Sequence, residues 1–315
     1  MSKSYFISFA NELFSNQLNR LTNEAKETGW FDKVIGETPE TIKDFIDKHP
    51  KAFLHKRGFG YWLWKPYILL NQLSKMDEGD DLFYTDAGSR ILPHRHNRFL
   101  EYKDILGMQP VWTSGTHFIL KAFTKMSLLK RFNVHNDDSI LNAFSIESGF
   151  LMIRKCNESM EFLEEWLSIC MEDDYKYITD ELYEEQLPEF MDHRHDQSVL
   201  DLLIKTKDYL WFDEDCYGVG PFFHSRMTDE GPRKYAPDWW RTEPDYDRNK
   251  HFLIDDYLQS KKDSNWWKKQ KDYNPDTMHK MWDYLNHMYS IYANGSRFDD
   301  DHPSKTHKLK NGSRI

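Results

Sequence analysis

No stretch of the sequence approaches the ~20 consecutive apolar residues that a membrane-spanning helix needs. The first residues, MSKSYFISFANELF, also lack the long apolar centre of a secretion signal. Cysteine is scarce. The three present, Cys156, Cys170 and Cys216, are scattered and form no Cys-x-x-Cys pair, which excludes a disulfide framework and suits a reducing compartment. Positive charge is in deficit: 42 Lys and Arg stand against 52 Asp and Glu, a formal charge of −10. Nucleic acid is therefore excluded as the main partner, because a phosphate backbone requires a basic surface. The expectation is a cytoplasmic protein without a membrane span, in which the sequons at Asn157, Asn294 and Asn311 are chance matches.

What the chain does have is length for a large core and an unusual share of aromatic residues. Its 315 residues are 39% hydrophobic and 16% aromatic, with eleven tryptophans. Packing alone seldom asks for so many, and flat ligands such as sugars or bases would use them. Strand-like and helix-like segments alternate. An apolar strand is expected over 5–10, then a helix over 11–29 stopped by Gly29, and a second strand at DKVIGE (32–37). The segment 38–50 reads as a helix opened by Thr38-Pro39 and stopped by Pro50. Another helix starts at Pro66, a residue favoured in the first turn. DLFYTD (81–86) reads as a buried strand, and 145–155 as a strand pair or one long strand. Amphipathic helices follow near 157–171 and 195–206. This order predicts an α/β fold with a mostly parallel sheet flanked by helices. The divisions expected are a main domain over 1–230, an aromatic-rich extension over 231–298 packed on it, and a disordered tail over 299–315.

In open α/β sheets ligands bind beyond the carboxyl ends of the strands, and Asp86 falls there. Lys65 sits at the start of the helix opened by Pro66, where free N–H groups attract anions. Arg57 precedes it, and Gly58 and Gly60 would let the backbone approach a ligand. Together these suit a diphosphate, with a carboxylate able to carry a divalent metal. Each residue also has a purely structural explanation: Lys65 as a solvated lysine, Asp86 as a turn residue. A second cluster, DHRHDQ (192–197), places Asp196 and Gln197 in the first turn of a helix. N-capping explains one carboxylate but not the crowding of His193, Arg194 and His195. A metal phosphoesterase would use those histidines with Asp196 and His224. The small pair Ser148-Gly149 is either a close-packed bulge or room for a sugar.

The ordered set YTDAG (84–88), ESGFLMI (147–153), HDQSVL (195–200) and FFH (222–224) resembles the GT-A fold of nucleotide-sugar glycosyltransferases, in the pattern of glycogenin-like and lipopolysaccharide galactosyltransferases. GYWLWKP (60–66), with YTDAG and HRHDQSVL, is similar to glycosyltransferase-like proteins of bacteria, algae and large DNA viruses. The resemblance runs from about residue 5 to 225. It implies transfer of a sugar from a nucleoside-diphosphate sugar to a hydroxyl of a glycan or protein acceptor. It further implies a donor site of Arg57, Trp64, Lys65, Asp86, Ala87, Gly88, Ser148 and Gly149. Asp196 and Gln197 would be the catalytic residues. Manganese or magnesium would be held by Asp86 and His224, although Gly88 stands where the family has its second aspartate. Apart from the resemblance, Trp239 and Trp240, with the further pair Trp266 and Trp267, are expected to face the acceptor, because sugar C–H faces pack on indole rings, or else to pin the extension to the core. A noncatalytic sugar-nucleotide or glycan-binding protein of the same fold is the alternative.

Overall fold

The structure is a computed structural model and describes residues 2–207, 209, 211, 220–224, 227, 228, 231 and 232. The remaining extension, the tail, Cys216 and the four tryptophans assigned to an acceptor lie outside the described residues.

The chain opens with β1 (Ser4–Phe9), α1 (Ser15–Thr28) and β2 (Lys33–Glu37). Gly29 ends α1 at φ 67, the left-handed position that glycine adopts without penalty. Two short helices follow, α2 (Lys43–Lys48) and α3 (Pro50–Phe53). The helix expected over 38–50 is thus shorter, and Pro50 opens the next helical turn instead of only stopping the last one. Proline fits there because a first-turn N–H has no intrahelical partner to lose. Next come α4 (Trp64–Leu73), β3 (Asp81–Thr85), β4 (Arg90–Ile91) and α5 (His96–Leu106). After β5 (Val111–Trp112), the strands β6 (Gly115–Ile119) and β7 (Phe144–Ile146) pair antiparallel in a small separate sheet. Then follow β8 (Phe150–Arg154), α6 (Asn157–Tyr175), α7 (Asp196–Thr206) and β9 (Phe222–Phe223), which pairs with β4.

The main sheet has five strands in the order β2-β1-β3-β8-β5. β1 is parallel to both β2 and β3, whereas β8 is antiparallel to β3 and to β5. Four strands therefore run one way and β8 runs against them, which gives the mixed α/β, mostly parallel sheet that the alternating pattern predicts. Both faces are covered over β1, β3 and β8, so these strands are largely buried and apolar, whereas the edge strand β2 is partly exposed. Ile7, Phe9, Leu82, Tyr84, Leu151 and Ile153 pack toward α4, α6 and α7. Their neighbours along the strands, Phe6, Phe83, Phe150 and Met152, pack toward α1 and α5.

Between α3 and α4 the backbone changes hand. Residues 58–62 all have positive φ: Gly58 58°, Phe59 51°, Gly60 85°, Tyr61 54° and Trp62 59°. Tyr61 N–H donates to Arg57 O at 2.9 Å and Trp62 N–H to Gly58 O at 3.1 Å, the i→i−4 spacing of a left-handed turn. Three of these residues carry side chains, at a cost of roughly 1–2 kcal/mol each. Packing offsets that cost. Trp64 stacks on Phe9 with centroids 4.1 Å apart, and its indole N–H donates to Gly58 O at 3.0 Å. The Trp62 ring lies flat over Gly58, where a Cβ would come within 2.2 Å of it. Gly58→Ala would therefore meet both a costly φ and an occupied space. It should lower stability by about 2 kcal/mol or more, read as a lower denaturant midpoint at unchanged m-value.

Candidate active site

Lys65 lies in the first turn of α4, not ahead of it, and its side chain is only 2% exposed. The ammonium points away from solvent to the carboxyl end of β3. Nζ donates to Ser148 O at 3.0 Å and Ser148 Oγ at 3.2 Å. It also lies 3.3 Å from Asp86 Oδ1 and 3.5 Å from Asp196 Oδ2. One cation thus gathers residues from three elements: the end of β3, the β7–β8 connection and the start of α7. The expected anion site at this helix start is altered accordingly. Leu63 N–H and Lys65 N–H already donate to Gly60 O and Trp62 O, and Pro66 has no N–H.

Burial pulls the Lys65 pKa down, but Asp196 and Asp86 together outweigh it, so the value stands above that of an ordinary lysine. For Asp196 burial wins. It pushes the carboxyl up to about 6, with Lys65 pulling back and Asp86 adding to the rise. Asp86 is anchored from below by Tyr84, whose hydroxyl donates to Asp86 Oδ1 at 2.5 Å. Burial, then Asp86 itself, holds that phenol well above its usual pKa, so it remains a proton donor. The sequence offered a signal for Tyr84: two residues apart on a strand, Tyr84 and Asp86 share a face.

Gly149 is where the site needs the smallest residue. A Cβ there would lie 2.9 Å from His224 Cε1 and 3.1 Å from Asp86 Oδ2. Asp86 and His224 therefore close on the same space, the one a side chain at 149 would fill. His224 Nε2–H donates to Gly149 O at 3.1 Å, and its Nδ1 faces Glu147 Oε2 at 3.9 Å. Cε1 is the ring atom nearest the space a Gly149 Cβ would fill, and the neighbouring Nε2 is engaged by the Gly149 carbonyl. Gly88 supplies no second carboxylate, and among the described residues no group of three or more His, Cys, Asp or Glu could hold a metal ion. The divalent metal implied by the resemblance does not fit Asp86 and His224 as they stand.

The other expected site residues are placed as follows. Gln197 Nε2 donates to Ile146 O at 2.8 Å, bracing the strand that leads to Ser148. Ala87 is buried beside Ala10 and Leu18, and Arg20 Nη2 donates to Ala87 O at 3.2 Å and Ser89 O at 2.8 Å, which fixes the loop containing Gly88. Trp64 is buried in the core at 5% exposure. Arg57 turns to Asp180 at 2.5 Å and Asp192 at 2.7 Å, so its guanidinium already has two carboxylates. Ring nitrogens of the two histidines of the phosphoesterase reading serve the backbone. His193 Nε2–H donates to Tyr177 O at 2.7 Å and its Nδ1 accepts from Lys125 N–H at 3.4 Å, while His195 Nδ1–H donates to Ile178 O at 2.6 Å. Burial holds both pKa values well below the usual histidine range. They are neutral core groups and do not converge on a cation.

No family model matches the chain, and no curated protein matches it in sequence. Among solved structures it is similar to mouse xyloside xylosyltransferase 1, at 10% identity, covering 68% of this chain and 87% of that one with a TM-score of 0.40. The galactosyltransferase LgtC, solved with donor and acceptor sugar analogues, is 12% identical, covering 68% and 75% with a TM-score of 0.37. A glycosyltransferase involved in glycosylation of the major capsid of PBCV-1 is 12% identical, covering 54% and 68% with a TM-score of 0.30. Likeness at this level says nothing of donor, acceptor or residue roles.

Two outcomes are expected. The folded state prefers Asp196 protonated, since its pKa of about 6 exceeds the ~3.9 of an unfolded aspartate. Its contribution to stability is complete below pH ~4 and is lost as pH rises through about 6. Asp196→Asn should remove that loss, so parent and variant should diverge by up to ~3 kcal/mol between pH 4 and 7 in denaturation midpoints. Manganese titrated into the protein alone should stay free, as read by its paramagnetic resonance signal. Tight uptake would show that Asp86 and His224 rearrange into a metal site.

Proposed function

We propose that the protein transfers a sugar from a nucleoside-diphosphate sugar to an acceptor hydroxyl. The observation that carries this reading is the convergence of Asp86, Ser148 and Asp196, from three separate elements, on the Lys65 ammonium at the carboxyl end of β3. A residue that only completed a core would not need two carboxylates and a buried cation, and perturbed titratable groups of this kind concentrate where chemistry is done. The sequence resemblance assigns Asp86 to the donor and Asp196 to the sugar or acceptor. Both assignments agree with placement beyond the strand ends, where open α/β sheets bind ligands.

In this reading Asp86, which is 36% exposed, is the group that meets the donor. Its Oδ1 is held by Tyr84 and Lys65, and its Oδ2 lies 3.1 Å from where a Cβ on Gly149 would sit. In this reading the Asp86 carboxylate accepts a hydrogen bond from a ribose or sugar hydroxyl of the bound donor. Asp196 lies deeper and is largely ionised above pH 6, placed to accept a proton or to stabilise the positive charge that develops on the sugar as the diphosphate departs. Residues 1–230 form the catalytic unit, and the segment 231–298, with Trp239 and Trp240, meets the acceptor. A noncatalytic sugar-nucleotide-binding protein is the second reading, and Gly88 favours it, since a donor site without its second carboxylate can retain binding and lose transfer.

The test is release of free nucleoside diphosphate, detected by ultraviolet absorbance after separation, from a panel of donor sugars with and without acceptor glycans. The parent should release it from at least one donor. Asp86→Asn should abolish release and weaken nucleotide binding, yet retain the parent's circular dichroism. Undiminished turnover in Asp86→Asn would remove Asp86 from the site. Binding with no release by the parent, with any donor, would favour the noncatalytic reading.

A further inference from the structure

The approach to Asp196 contains a second backbone outlier. His195 has φ 54 and ψ −120. Arg194 O accepts from Gln197 N–H at 3.0 Å. Together these describe a type II′ turn with His195 at its first central position, which normally belongs to glycine. Asp196 is the second central residue. A glycine at 195 would relieve the strain, yet the chain carries a ring there, held by one hydrogen bond and by stacked aromatic rings. Nδ1–H donates to Ile178 O at 2.6 Å. Tyr61 and Trp62 stack on it with centroids 4.8 and 5.4 Å away. His193 meets its edge at 5.3 Å, and Asp180 Oδ1 lies 3.7 Å from Nε2.

Tyr61 and Trp62 are themselves the last residues of the left-handed turn. That turn is fastened to the same neighbourhood at its start, because Arg57 pairs with Asp180 and Asp192. The two strained segments therefore hold each other. Each also delivers one member of the buried ion pair: Lys65 lies three residues beyond Trp62, and Asp196 directly follows His195. Strained backbone persists only where its surroundings over-determine it, and it concentrates at functional sites.

We propose that His195 is a positioning residue for Asp196: its ring, clamped by Tyr61, Trp62 and Ile178 O, keeps the 194–197 turn in the II′ conformation that aims the Asp196 carboxylate at Lys65 and the sugar. This inference rests on the glycosyl-transfer reading for its catalytic consequence, but its structural content stands apart from it. His195 touches no substrate. Its effect passes through the position of Asp196, whose backbone carbonyl accepts from the Trp166 indole N–H at 3.0 Å. That bond supplies a reporter independent of turnover.

The experiment compares His195→Ala, His195→Asn and, as a stability control, Asp201→Asn, which breaks a buried Asp201–Lys205 pair on the same helix. The full chain is labelled at its tryptophan indoles, and the Trp166 signal is assigned with Trp166→Phe. Alanine removes the clamp, so the turn should relax: the Trp166 indole proton should lose its slow exchange, and kcat should fall by about 10²-fold with the donor KM little changed. Asparagine tolerates positive φ, and its amide can donate to Ile178 O. It should retain the slow Trp166 proton and recover most of the turnover. Asp201→Asn should lower stability while leaving both readouts as in the parent. The proposal is overturned if His195→Ala keeps a protected Trp166 proton, or if it loses turnover only as far as Asp201→Asn does. Should His195→Ala fail to fold, a folded His195→Asn that loses the Trp166 signal also overturns it. If the parent releases no nucleoside diphosphate from any donor, the glycosyl-transfer reading fails, and the Trp166 proton alone decides the positioning role.

Discussion

A lysine ammonium sealed inside a protein must be neutralised and hydrogen-bonded, or it forces the structure apart. Lys65 meets that requirement with oxygens from Asp86, Ser148 and Asp196. Because those oxygens come from far-separated parts of the chain, one electrostatic demand fixes the end of β3, the β7–β8 connection and the start of α7 relative to α4. Removing either carboxylate would leave the ammonium under-compensated, and removing the ammonium would leave Asp196 buried without its cation. Losses of this kind cost roughly 3–5 kcal/mol where they have been measured. The same demand shapes the chemistry, since it sets Asp86 partly in solvent and Asp196 out of it.

The sheet makes this convergence possible. With β1, β2 and β3 parallel, their carboxyl ends share one edge of the molecule. β8 runs the other way, so the residues just before it, Glu147 to Gly149, arrive at that same edge. Thr85 and Asp86 are tied to them directly: Thr85 Oγ1 and Asp86 N–H both donate to Gly149 O, at 3.0 and 2.9 Å. His224 is brought in by the pairing of β9 with β4. An antiparallel strand in an otherwise parallel sheet thus has a use beyond closing it.

Much of this frame was legible in the sequence. The runs at β1 and β3 are apolar because both faces of the sheet are covered, and α1 and α6 carry clear 3.6-residue patterns of buried side chains, whereas α7 is buried on nearly every side over 198–204. The direction of β8 was not legible, because apolar runs do not encode orientation. The left-handed turn was hidden for another reason. Gly58 and Gly60 announce unusual backbone, but Phe59, Tyr61 and Trp62 are residues that ordinarily avoid positive φ, and only tertiary stacking on Phe9 and His195 holds them there. The sequence draws attention to Lys65 and Asp196 separately, but not to their pairing. Sequence reading placed the lysine at an open helix end facing phosphate, whereas its partners lie 21 and 131 positions away and could not be paired without the fold. Arg57 is a similar case, claimed by Asp180 and Asp192 before any ligand arrives.

The burial of Lys65 also bears on how the protein would respond to chemical labelling. Acylating reagents attack the neutral amine, and they need to reach it. Among the described residues most lysines present an accessible side chain, such as Lys43 at 68% and Lys51 at 70% exposure, whereas that of Lys65 is 2% exposed and kept protonated by two carboxylates. Such exposed lysines would therefore be modified well before Lys65. A mass-spectrometric footprint in which Lys65 becomes labelled would mark the moment at which α4 parts from the sheet.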